Sequence, residues 1–157
     1  MVSFLPFFMG LGFLLAAYAA YVEFKFDEGQ RLGISYRALC DFGIFSCTKV
    51  FSSEFGYVSQ FFGLPKISNA YIGMAFYVVE LAVERHNTVL LILSGLSCLG
   101  SIGLFYLLTV VMSDFCIVCF SIYVVNFTCF ITAVRRRQKK IGMGKGSKKK
   151  DTAKLNA

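Results

Sequence analysis

Tryptophan is absent from this chain and proline occurs only twice. With so little proline there is no Pro/Ser-rich linker to separate domains. No low-complexity tract precedes residue 138 either, so the 157 residues read as one domain. Charge is missing where a soluble protein would carry it. Residues 4–22, "FLPFFMGLGFLLAAYAAYV", contain none. Nor does an aromatic platform accompany the lysines near the C-terminus, which excludes the pattern of an RNA-binding tail. What fills the space is apolar. Hydrophobic residues make up 57% of the chain, eighteen residues are phenylalanine, and the mean hydropathy is +0.66. A soluble fold could not cover that excess, so lipid must, and the chain reads as an integral membrane protein.

The net charge of +7 is a property of the tail. Residues 135–157 hold ten of the sixteen basic residues and one of the nine acidic ones, which leaves residues 1–134 at 6 − 8 = −2. Basic residues directly after a membrane span are retained in the cytosol and can touch anionic head groups. Beyond about residue 140 the composition predicts a disordered cytosolic tail.

Four stretches approach the roughly 20 residues that cross a bilayer core: residues 4–22, about 68–83, about 88–112, and from about 115 to just before Arg135. The first could be a secretory signal, because "AYA" at 17–19 imitates a cleavage site. However, the run is long and no basic residue precedes it, which favours an uncleaved span. In the second, Glu80 is an intramembrane acid, expected to snorkel toward the interface at the "ERHN" turn. The third carries small residues from Ser94 to Gly103 that let helices approach closely. The expected fold is therefore an all-α, four-transmembrane-helix bundle over residues 1–140. It is capped by a loop of about residues 23–66 containing short helices, with candidates at 35–41 and 49–62, and followed by the tail at 141–157. An even span count with a cytosolic C-terminus puts both termini in the cytosol and the loop on the other side. The sequon "NFT" at 126–128 then lies inside a span and is not expected to be glycosylated.

The six cysteines divide by position. Cys98 and Cys129 lie in apolar spans and read as inert core residues. Cys116 and Cys119 form a C-x-x-C at the start of the fourth span, and Cys40 and Cys47 form a second pair in the loop, all in one compartment. Four thiolates could hold zinc, but the spacing is not that of a usual knuckle and an oxidising compartment favours disulfides, so no metal is expected. Two structural disulfides would also satisfy the pattern. Redox chemistry is favoured by the helix start, where the macrodipole and unpaired N–H groups stabilise a thiolate. A pair at a membrane surface can receive electrons from soluble dithiols through the loop pair and pass them to a lipid-soluble quinone.

The segments "YRALCD", "TKVFSS", "SNAYIG", "FY" at 76–77 and "DFCIVC" followed by "IYVVN" resemble the vitamin K epoxide reductase family from about Tyr36 to Asn126. The resemblance implies a warfarin-sensitive type of enzyme in the endoplasmic reticulum membrane that reduces vitamin K 2,3-epoxide and vitamin K quinone. No cofactor is tightly bound. The implied partners are the lipid bilayer, a lipophilic quinone, coumarin-type inhibitors and lumenal thioredoxin-like oxidoreductases. It makes Cys119 the residue that attacks substrate, Cys116 its resolving partner, and Cys40 and Cys47 the shuttle pair, with Cys47 exchanging with Cys116. Asn69 and Tyr123 would hydrogen-bond the substrate's oxygens, while Phe51, Phe76 and Tyr77 would form apolar walls. Two differences from the family's vertebrate members are a spacing shorter by one residue between the loop cysteines, and Phe55 in place of tryptophan. Two other functions fit the same residues: a quinone-coupled disulfide generator for oxidative folding, and a four-span scaffold stapled by disulfides.

Overall fold

The computed structural model describes residues 4–41, 47–51, 53, 57, 63, 65, 67–111 and 115–155, with side chains as far as residue 142. Helix α1 spans Leu5–Leu32, α2 Cys47–Phe51, α3 Asn69–Ala82, α4 Asn87–Tyr106 and α5 Ile117–Leu155, with a π-helical turn, Leu107–Val111, prolonging α4. The fold is all-helical among the described residues. Among the described residues three helices are long and apolar enough to cross a membrane: Leu5–Leu32, Asn87–Val111 and Ile117–Gly142. The expected second span is instead the 14-residue α3, which at 1.5 Å per residue reaches about 21 Å and does not by itself cover a ~30 Å core.

Each boundary has a local cause. A proline in the first turn of α1 sits where its missing N–H costs nothing. At the other end Gly33 adopts φ 67°, and its N–H turns back to the carbonyls of Gln30 and Gly29, as a left-handed cap requires. The helix continues ten residues past Val22, although the sequence suggests that the loop begins at residue 23. That extension, "EFKFDEGQRL", is held by a Lys25–Glu28 ion pair of 2.5 Å across one turn and by Arg31 at the negative end of the dipole. Helix α5 likewise runs through the basic segment to Leu155, where composition alone leads one to expect no regular structure. In the loop, residues 35–41 are not helical. The helix expected over 49–62 is observed as Cys47–Phe51, and most of 52–62 lies outside the described residues.

Helix α1 packs against α3 and α5, and α4 lies along α5. Two buried clusters result. One gathers Ala19, Val22, Ala38, Cys40, Cys47, Val50, Leu108, Cys116 and Val118. The other gathers Leu5, Met9, Ala16, Tyr77, Leu90, Val125, Cys129 and Ala133. Large apolar side chains such as Phe7, Leu14, Ile92, Leu99 and Val124 point outward, as lipid-facing residues must. An Arg136–Glu84 ion pair of 3.0 Å ties α5 to the α3–α4 connection.

In the second cluster, α1 approaches α3 so closely at Gly12 that a Cβ there would fall 2.2 Å from the Tyr77 ring. The Tyr77 hydroxyl donates to Asn126 Oδ1 at 2.6 Å, and Asn126 Nδ2 donates to Ser101 Oγ at 2.8 Å, which joins α3, α5 and α4. Glu80 departs from expectation. It does not snorkel but is 1% exposed, and neither carboxylate oxygen has a hydrogen-bond partner among the described residues. One turn beyond Tyr77, it faces the bundle rather than the interface.

Two stability effects are expected. Gly12→Ala should displace Tyr77 from Asn126 and cost roughly 1–3 kcal/mol through overpacking. Glu80→Leu should raise the melting temperature in detergent, since it removes an uncompensated buried polar group worth about 1–3 kcal/mol. A fall in melting temperature for Glu80→Leu would show that the carboxyl is stabilised in the bundle.

Candidate active site

The site starts from the turn "YRALCD" and the short helix that follows it. Cys40 and Cys47 are joined by a disulfide with Cα atoms 5.9 Å apart. Between their flanking residues runs a polar clasp. Asp41 Oδ1 accepts the Thr48 N–H at 3.0 Å, while Oδ2 accepts the Thr48 hydroxyl at 2.5 Å and the Ala38 N–H at 3.2 Å. The Arg37 guanidinium donates to the Asp41 carbonyl at 2.9 Å. Burial opposes charge on Asp41. The hydrogen bonds from the Thr48 side chain and from the backbone of Thr48, Ala38 and Cys47 outweigh it and hold the carboxyl below the usual carboxylate range. Donor atoms of Cys40, Asp41 and Cys47 lie within 4.8 Å of one another. With the sulfurs bonded together and the carboxylate committed, this group is built as a clasp rather than as a cation cage.

The clasp seats α2 on the start of α5. Cys47 is fully buried, and its Sγ lies 3.6 Å from Cys116 Sγ. Cys116 stands immediately before α5 and caps it, its sulfur accepting the Cys119 N–H at 3.3 Å. A sulfur placed there is stabilised as thiolate by the helix terminus. Cys119 is half-buried against the same cluster, and neither it nor Cys116 is in a disulfide. Tyr123, four residues on and so on the same face as Cys119, is buried with its ring edge-on to Phe105 at 6.1 Å.

Helix α3 brings its N-terminus to this place. Ser68 caps it, accepting the Ala70 N–H at 3.1 Å while its hydroxyl donates to Glu23 of α1, and Ala70 packs on the cysteine cluster. Asn69, the first residue of α3, is half-buried beside them. A hollow of about 390 Å³ opens nearby, but it is lined by Glu23, Asp27, Tyr57, Ile67, Ser68 and Tyr71 and by none of the thiols.

A profile of the vitamin K epoxide reductase family matches residues 4–134. The chain belongs to that family. It is 39% identical over 128 residues to vitamin K epoxide reductase complex subunit 1 of Rattus norvegicus and 38% identical to the subunit of the same name in Mus musculus. Each alignment covers 73% of this chain and 77% of the relative. Family membership makes the protein a membrane oxidoreductase of the vitamin K epoxide reductase type.

Against the sequence expectations for such a protein, the structure gathers Cys40, Cys47, Cys116 and Cys119 in one cluster; Asn69 opens α3 next to Ala70, which packs on that cluster, and Tyr123 lies one turn beyond Cys119 on α5. Phe76 is half-buried on α3. Tyr77 lies in the second cluster with its hydroxyl committed to Asn126. The side chain of Phe51 lies outside the described residues. Cys98 and Cys129 are buried as expected, Cys98 donating to the Asn126 carbonyl at 3.5 Å. Sequence reasoning does not single out Asp41 and Thr48. Their signal is an acid and a hydroxyl, each next in sequence to one of the paired loop cysteines.

Removing the clasp by Asp41→Ala leaves the Thr48 and Ala38 donors without this partner, at a cost of roughly 1–3 kcal/mol to the loop. Amide exchange should show lost protection at Thr48, and less at Ala38, whose N–H also donates to Thr48 Oγ1 at 3.0 Å. In the parent protein the folded carboxyl titrates below its ordinary value of about 4. Its stabilisation is therefore complete above that pH and disappears only as pH falls through the lower folded value. Protection factors at Thr48 that already collapse near pH 6 would contradict this.

Proposed function

We propose that the protein reduces vitamin K 2,3-epoxide, and vitamin K quinone, with electrons relayed from a dithiol through Cys40–Cys47 to Cys116–Cys119. The observation that carries this reading is the 3.6 Å approach of Cys47 Sγ to Cys116 Sγ inside a buried cluster. Thiol–disulfide exchange needs the attacking and attacked sulfurs in contact. A loop stapled only for stability has no need to bring its sulfur to a second pair.

The electrons balance along one line. An external dithiol opens Cys40–Cys47 and leaves as a disulfide. Cys47 thiolate attacks Cys116 of the oxidised helix pair, forming Cys47–Cys116 and releasing Cys119. Cys40 then attacks Cys47, which closes the loop disulfide and frees Cys116. Cys119 thiolate attacks the epoxide, and Cys116 displaces the resulting adduct as the helix disulfide re-forms. Epoxide and two thiols thus become quinone, water and a disulfide. Charge develops on the substrate oxygens, and Asn69 and Tyr123 are the donors for it in a water-poor pocket. Such a donor is worth on the order of 3 kcal/mol. Phe51, Phe76 and Tyr77 are the apolar walls of this reading, Tyr77 being tied to α5 through its bond to Asn126.

In this reading the protein is a four-span bundle in the endoplasmic reticulum membrane, α3 serving as a short fourth span. Both termini lie in the cytosol, and the cysteine cluster faces the lumen and its thioredoxin-like dithiols. Ten basic residues at positions 135–157 support that orientation. Coumarin-type inhibitors would compete for the quinone pocket.

Cys119→Ala should abolish epoxide reduction with every donor. Cys40→Ala and Cys47→Ala should keep activity with dithiothreitol, which reduces the helix pair directly, and lose it with a thioredoxin-like protein. In the Cys40→Ala/Cys119→Ala protein neither resolving thiol remains, so non-reducing digestion and mass spectrometry should find Cys47 bonded to Cys116. Finding Cys47 free, or bonded to Cys98 or Cys129, would sink the relay.

A further inference from the structure

The relay contains one step for which the cysteines alone make poor provision. When Cys40 resolves the Cys47–Cys116 bond it must react as a thiolate. Cys40 is only 7% exposed, and its sulfur stands within 4.8 Å of the Asp41 carboxylate. Loss of water and a neighbouring like charge both disfavour negative charge on that sulfur. The clasp hydrogen bonds hold Asp41 ionised and so add to the opposition. A donor aimed at the Cys40 sulfur is needed to offset them.

That donor comes from α1. The Tyr18 hydroxyl points at Cys40 Sγ, with oxygen and sulfur 3.9 Å apart. The Tyr18 ring packs on the cysteine cluster, one residue before Ala19 and one turn before Val22, both buried members of it. The aromatic ring thus places the hydroxyl from the membrane helix under the loop. A tyrosine rather than a phenylalanine is required only if the O–H matters, since the ring alone would serve the packing.

We propose that Tyr18 is a catalytic residue of the relay, its hydroxyl stabilising the Cys40 thiolate as that thiolate attacks Cys47. This assignment rests on the relay reading. In the step, a bond forms between Cys40 and Cys47 sulfurs and the Cys47–Cys116 bond breaks. The electron pair leaves on Cys116, which then holds a thiolate at the α5 N-terminus. Tyr18 keeps its proton throughout, and its contact with the sulfur, 3.9 Å in the disulfide state, strengthens while Cys40 carries charge. In the reverse direction the same hydroxyl receives Cys40 as the leaving thiolate.

The test is a single turnover begun from fully reduced enzyme, with vitamin K epoxide added and no external reductant. Acid quenching at intervals and mass spectrometry of the thiol-blocked peptides follow the Cys47–Cys116 bond. It should form after epoxide is consumed and then decay as Cys40–Cys47 closes. In Tyr18→Phe the decay should slow about tenfold, the scale of a hydrogen bond to a charged group, while epoxide consumption stays within twofold of the parent. Decay at the parent rate would overturn the proposal. So would equal slowing of epoxide consumption and decay, because that marks a packing defect. Cys40→Ala/Cys119→Ala, oxidised without substrate, supplies the reference, since neither resolving thiol remains and its mixed disulfide should persist. Persistence there without slowing in Tyr18→Phe removes the role of Tyr18 alone. Absence of the bond in that double variant as well removes the relay and the role of Tyr18 with it.

Discussion

The structure depends on the seating of a small disulfide loop on the first turn of a membrane helix. The loop cannot hold that place by burial alone, because α2 has only five residues. The clasp supplies the rest. One carboxylate accepts three hydrogen bonds from residues on both sides of the disulfide, so residues 38–41 and 47–48 form one rigid piece. A rigid piece can present a sulfur at a fixed distance from a second sulfur. A floppy loop would have to close that distance against chain entropy at each exchange.

That dependence accounts for the placing of the other helices. Helix α5 begins just after Cys116, and a sulfur one turn inside the helix would lack the free N–H groups that favour a thiolate. Helix α1 must be long, because it carries Tyr18 and Val22 under the loop and Glu23 against the cap of α3. The cost is a helix that outreaches the bilayer core, and its last turns end in a charged segment that water can cover. Helix α3 can be short because it meets the cysteine cluster at its start, through Ala70, and the bundle near its end, through Tyr77.

Hydropathy makes the spans at residues 88–112 and 115–134 legible, since little besides lipid can cover an apolar run of that length. It misplaces the end of α1, because Glu23, Lys25 and Glu28 read as loop by polarity although they are good helix formers able to pair along a turn. Glu80 misleads for the opposite reason. Its closeness in sequence to the "ERHN" turn suggests an exit to the interface, whereas the helix phase that buries Tyr77 carries Glu80 round to the same side. Periodicity cannot choose between these without knowing which face of α3 meets α1.

The cysteine pairs are legible as pairs, but their mutual approach is not, because no sequence spacing relates Cys47 to Cys116 across 69 residues. The supporting groups are less visible still. Tyr18 belongs to a run of residues whose hydropathy is fully explained by lipid, and Asn126 sits within a sequon that its burial takes away from any glycan. Both show the same physical point. In a membrane bundle a hydroxyl or amide has no water to fall back on, so each one found inside must be committed to a partner. Tyr77, Asn126 and Ser101 are committed to one another and fix the bundle. Tyr18 is committed to a sulfur whose charge changes in the proposed exchange, and on that proposal it is this difference in partner, not in residue type or burial, that separates a packing tyrosine from one that takes part in the chemistry.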